Sequence, residues 1–119
     1  MPHLIIEVSD KSLIQNADTL LLALNENLLR SNEFEAHDIK SRLYFADHSL
    51  VGTMAENHQF ISMTLKIMPG RSSLIKKKLI EGLIATCRQL LTSNSAKNIE
   101  ITVEIIELKK LQYRKFMVS

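Results

Sequence analysis

Two apolar stripes at helical spacing, each set between runs that read as strands, leave this chain few ways to fold. Leu13, Ile14, Ala17, Leu20, Leu21, Leu24, Leu28 and Leu29 recur every three or four residues, lining one helix face that ends before Asn32. Leu74, Ile75, Leu79, Ile80, Leu83, Ile84, Cys87, Leu90 and Leu91 make a second stripe, capped by Ser72 or Ser73 after the break at Pro69-Gly70. Strands are predicted over residues 4–8, 39–45, 60–68 and 99–108, with a polar stretch containing Gly52 and Asn57 between the second and third. In the last of them Ile99, Ile101, Val103 and Ile105 alternate with Glu100, Thr102 and Glu104, the pattern of one buried and one solvated face.

The order strand, helix, strand is thus written twice, and the two copies also match in sequence. Ser12-Leu13-Ile14 recurs 61 residues later as Ser73-Leu74-Ile75, and at that offset Leu4 meets Leu65, Ile6 meets Ile67 and Leu22 meets Leu83. A duplicated β-α-β unit follows, with repeats of about 2–58 and 59–119 inside a single domain spanning 1–119. Right-handed crossovers put both helices on one face of a four-stranded mixed sheet, an α+β architecture. The sheet's other face would then be uncovered, and apolar strand residues left on it would drive self-association. The segment Gln112 to Val118 is a candidate exchanged strand.

Composition narrows the functional classes. With 119 residues, 45% hydrophobic and 24% charged, the chain can build one core. A net charge of +2 is too small for nucleic-acid binding by bulk electrostatics, and Lys76-Lys77-Lys78 has no aromatic residue interleaved as a stacking platform. An anionic small molecule fits this charge equally well as a partner. Cys87, the single cysteine, lies on an apolar stripe and reads as core in a reducing compartment, with the cytoplasm as the expected location. No apolar run approaches a membrane span, and no secretory leader is legible at the start. His3, His37, His48 and His58 lack metal-ligand spacing.

Chemistry enters at Pro2. Removal of Met1 would leave a proline with a free secondary amine at the head of the strand His3-Leu4-Ile5-Ile6-Glu7-Val8. A buried strand anchors such a terminus, and burial disfavours its ammonium form, bringing a basic amine into the range of a general base. Without that processing Pro2 is merely the residue after the initiating methionine. His3 stands beside it, shaping a pocket or serving structure.

The opening Met1-Pro2-His3-Leu4-Ile5-Ile6-Glu7, the segment Ile39-Lys40-Ser41-Arg42 and the segment Met63-Thr64-Leu65-Lys66-Ile67 with Gly70-Arg71-Ser72 together resemble the 5-carboxymethyl-2-hydroxymuconate isomerases of the tautomerase superfamily. The resemblance covers essentially the whole chain. It implies a homotrimer of fused β-α-β pairs, catalysis by Pro2 without metal or organic cofactor, and cationic residues that hold a small unsaturated dicarboxylate. Carried over residue by residue, Pro2 is the base and acid, and Lys40, Arg42 and Arg71 bind substrate. The position of Pro2 in the second repeat is Met63, so each chain holds one active proline. The family pattern Ile-Arg-Ser-Arg is altered at Lys40, where an ammonium replaces a planar fork. Two alternatives stay open: another tautomerase, such as one acting on phenylpyruvate-type enols, and a non-enzymatic oligomeric binding domain.

Overall fold

The alternating and helical periodicities resolve into β1 (His3–Val8), α1 (Ala17–Arg30), β2 (Lys40–Phe45), β3 (His58–Ile67), α2 (Ser73–Gln89) and β4 (Asn98–Glu107). The computed structural model describes residues 1–53, 58–92 and 98–119; Asn57 of the polar stretch lies outside them. Short 3-10 turns occupy Lys11–Leu13, Ala36–Asp38 and Lys110–Gln112.

The first apolar stripe serves two elements instead of one. Leu13 and Ile14 precede α1: Leu13 closes a 3-10 turn whose Ser12 amide donates to Asp10, and Ile14 bridges to Leu91. The helix itself starts after Asn16, whose side chain accepts from the Thr19 amide. All of Leu13, Ile14, Leu20, Leu24 and Leu28 are nevertheless buried, because two successive turns satisfy one spacing. α1 ends at Arg30 and Asn32 takes a left-handed φ of 63°, a conformation asparagine tolerates well. Ser72 caps α2 by accepting from the Ile75 amide. Gly70, at φ 121°, makes the turn between β3 and that cap.

The sheet order is β2-β1-β3-β4. β1 runs parallel to β2 and β3 parallel to β4, while the two central strands are antiparallel. Leu4 pairs with Leu65, the residue that also matches it at the 61-residue offset. Equivalent residues of two copies face each other only where a two-fold axis passes, so the axis relating the halves lies between these leucines.

One expectation is overturned here. The face away from the helices is not an apolar surface: it carries Lys40, Arg42 and Tyr44 from β2, His3, Ile5 and Glu7 from β1, Ser62, Thr64 and Lys66 from β3, and Glu100, Thr102 and Glu104 from β4. The two-residue period sends Leu4, Ile6, Val8, Ile61, Met63, Leu65 and Ile67 inward, where all are buried. Ile5, Phe60 and Ile106 are what remain outside. The carboxy-terminal segment also differs from a strand. After the turn at Lys110–Gln112 it runs back over its own chain, with Tyr113 reaching His3 and Lys115 reaching Asp38.

Leu24 is 0% exposed and Leu22, on the same helix, is 63% exposed. Truncating Leu24 to Ala should cost about 3 kcal/mol in urea unfolding, and Leu22→Ala less than about 0.5 kcal/mol. Equal losses would show that the helix presents a different face to the sheet.

Candidate functional site

Parallel pairing brings the starts of β1 and β2 to the same end of the sheet, and the antiparallel pairing adds the end of β3. Pro2, His3, Lys40, Arg42 and Lys66 therefore gather there, although they come from three separate segments. Pro2 is buried, and its carbonyl accepts from the Lys40 amide at 3.0 Å. Lys40 pairs in register with His3, and Arg42 with Ile5, so both cations share the open face as strand alternation requires. Their heads diverge. The Lys40 Nζ turns back to donate to the carbonyls of Asp38 at 3.0 Å and His37 at 3.4 Å. Arg42 lies 3.2 Å by Nη1 from His3 Nδ1.

That contact fixes the imidazole's protons. A guanidinium can only donate, so Nδ1 is the acceptor and the ring's proton is on Nε2, which is 3.4 Å from the Tyr113 hydroxyl. Burial is the largest cause holding the His3 pKa below its ordinary 6.5, followed by the charges of Arg42, the amino terminus, Lys40 and Lys66. His3 is thus a neutral post that steadies Arg42, and Tyr113 closes the row from the carboxy-terminal segment.

Arg71 reaches this end from the turn after β3. Extending the β1–β3 register by one residue sets Pro2 beside Ile67, and Arg71 donates by Nη1 to the Met68 carbonyl at 3.3 Å. Its Nε donates to the Glu33 carboxylate at 2.9 Å and its Nη2 to the Glu33 carbonyl at 3.0 Å. The guanidinium carbon also stands 4.6 Å from the Phe34 ring centre. The same loop, 31–39, holds the amino terminus through a bond from the Met1 ammonium to the Asp38 carbonyl at 3.2 Å. Arg71 and the amino terminus are therefore tied to opposite ends of one loop.

The electrostatics disfavour protonated amines at the terminus. The Met1 ammonium has its pKa lowered from 8.0, with burial as the largest cause; Asp38 opposes this, and Lys40 and Lys115 add to it. Lys115 donates to Asp38 at 2.9 Å, which holds the Asp38 carboxyl below its usual range. Cys87 is far from this chemistry: it is fully buried on α2, and burial pushes its thiol up to about 11. Among the described residues no three His, Cys, Asp or Glu converge as a metal site.

Pro2, Lys40, Arg42 and Arg71, the candidates named from sequence, come to one end of the sheet, while the partners of the cations were not foreseen. Lys66 was legible, since strand alternation sets it opposite buried Leu65. Glu33, Phe34 and Tyr113 were not, because each meets its partner across a large sequence separation that no local pattern encodes.

Comparison with known proteins gives this arrangement a class. A crystal structure of a 5-carboxymethyl-2-hydroxymuconate isomerase from Deinococcus radiodurans R1 superposes with a TM-score of 0.83 at 28% identity, covering 97% of this chain and 88% of that one. A 5-carboxymethyl-2-hydroxymuconate delta-isomerase superposes at 0.82 and 20% identity, covering 98% and 89%. A fused 4-OT symmetric trimer superposes at 0.68 and 17% identity, covering 88% and 85%. Comparison with curated protein sequences gives no match. The fold and its relatives define a tautomerase-type isomerase. The model of the 5-carboxymethyl-2-hydroxymuconate isomerase family matches residues 2–117, and the chain belongs to that family. Membership in a family of isomerases sets aside the non-enzymatic reading. No helix among the described residues is long and apolar enough to cross a membrane.

The imidazole supplies a direct check on the site's geometry. In an NMR titration His3 should have its midpoint below 6.5, and Arg42→Leu should move that midpoint upward by removing a neighbouring positive charge. A midpoint unmoved by the substitution would separate His3 from Arg42.

Proposed function

We propose that this enzyme is a cofactor-free isomerase that moves a proton within a 2-hydroxymuconate-type dicarboxylate, with 5-carboxymethyl-2-hydroxymuconate as the substrate, a step in homoprotocatechuate breakdown in the cytoplasm. The observation that carries the reading is the burial of Pro2 at a sheet end crowded with cations, where the neighbouring terminal amine already has a lowered pKa. A free Pro2 nitrogen lies one residue deeper than that amine. It takes the proton from the substrate's 2-hydroxyl and returns a proton to C-5, converting the hydroxydiene to its conjugated ketone. The proline ends neutral, so the cycle balances without a second reactant.

Arg42 and Lys40 face the emerging oxyanion and a carboxylate from the open side of the sheet. Arg71 takes the far carboxylate beside the amino end of α2, where the helix dipole also favours an anion. We assign the active form to a homotrimer, as the fused 4-OT relative is in its symmetric trimer, with the sites near subunit contacts. The units that assemble are the two repeats of about 2–58 and 59–119. A second reading, a tautomerase of monocarboxylate enols such as phenylpyruvate, is favoured by one observation: Arg71 is already paired with Glu33.

With Met1 in place the Pro2 nitrogen is an amide and has no basic lone pair. Processed enzyme, verified by intact mass, should convert a 2-hydroxymuconate with kcat/KM rising with pH as the amine loses its proton, while protein retaining Met1 should be inactive. Equal rates would remove the amine from the mechanism.

A further inference from the structure

We propose that Glu33 is a specificity-determining residue, an internal carboxylate that occupies Arg71 in the free enzyme and must yield it to the far carboxylate of a dicarboxylate substrate. The inference rests on the reading of Arg71 as a carboxylate anchor. It adds a competitor for that anchor, contributed by the chain itself.

The geometry separates what holds Arg71 in place from what occupies it. The Met68 carbonyl on Nη1, the Glu33 carbonyl on Nη2 and the Phe34 ring face fix the plane of the guanidinium using main chain and a buried ring. The Glu33 carboxylate alone sits on Nε, at 2.9 Å. If that carboxylate leaves, the plane is unchanged and Nε is exposed for another anion. The arginine is then a preformed anion site with a removable occupant, and an incoming carboxylate replaces one charge-assisted hydrogen bond with another.

Two further observations give the displaced carboxylate somewhere to go. The side chains of Arg71 and Glu33 keep 20% and 27% of their surface exposed, so the pair is partly buried yet still reached by solvent, and water can assist the exchange. Glu33 also lines a cleft of about 400 Å³ between α1 and α2, whose other lining residues include Arg30 and Lys78. Those two cations line the same cleft as Glu33 and are the charges available to the carboxylate once it leaves Arg71. A dicarboxylate can pay for the exchange with its own second charge. A monocarboxylate cannot, and leaves Glu33 where it is. Glu33 thereby sets a threshold on the second carboxylate without touching the reacting atoms, and its return to Arg71 assists product release.

The test uses the processed, full-length enzyme with Glu33→Gln, Glu33→Asp, Arg71→Ala and the Glu33→Gln/Arg71→Ala double variant, each assayed on a dicarboxylate 2-hydroxydiene and on its monocarboxylate analogue. Asp is one methylene short of Nε and keeps the loop's charge, so it serves if Gln perturbs folding. Glu33→Gln and Glu33→Asp should lower KM for the dicarboxylate about fivefold, with KM for the monocarboxylate unchanged. In the Arg71→Ala background the Glu33→Gln gain should vanish. If Arg71→Ala raises the dicarboxylate KM but both Glu33 variants leave it unchanged or raise it, Arg71 is an anchor and the competitor is overturned. If Arg71→Ala spares both substrates, the anchor itself fails and the competitor with it.

Discussion

Everything at the candidate site depends on β1 being an inner strand from its first residues. Its pairing with β2 on one side and β3 on the other removes the freedom that a chain terminus ordinarily keeps. The register is locked by Leu4, Ile6 and Val8, all fully buried, each contributing roughly 1.5–3 kcal/mol of hydrophobic stabilisation. A slip of one residue would turn these three to the open face and His3 and Ile5 to the core. Pro2 is therefore positioned by the core packing of β1 together with the bond its carbonyl accepts from the Lys40 amide.

The same pairing makes one end of the sheet cationic, and the cations differ in how they are compensated. Lys115 has Asp38 and Arg71 has Glu33, while Lys40 leans on two carbonyls. Arg42 has a neutral imidazole, and no carboxylate pairs with it among the described residues. A partly buried guanidinium with a neutral partner retains its full pull on an anion. The compensation is graded: Arg42 has no carboxylate partner among the described residues, whereas Arg71 is already paired with Glu33.

The core and the crossing order were legible because they are periodic. Stripes of leucine and isoleucine marked α1, α2 and the inward strand positions, and the repeat of Ser-Leu-Ile agreed with the axis that passes between Leu4 and Leu65. What misled was counting apolar strand residues without assigning each to a face: alternation had already sent Ile61, Met63, Leu65 and Ile67 to one side. Of the site, the cations were legible and their counter-groups were not. Glu33 is 38 positions from Arg71 and Tyr113 is 110 from His3, so only the closed fold defines those pairs. The helix start was misjudged for a local reason. Asn16 and Asp10 both accept amide protons at turn entries, which divides one stripe into a 3-10 turn and a helix.

The central claim is that burial beside positive charge turns the Pro2 amine into a base at neutral pH. The most direct measurement is an NMR titration of the 15N-labelled Pro2 nitrogen in processed enzyme. The account predicts a pKa below the ~8 of an ordinary α-amino group, despite the greater intrinsic basicity of a secondary amine. A pKa above about 9 would mean the amine is protonated and solvated at neutral pH, and would contradict the account.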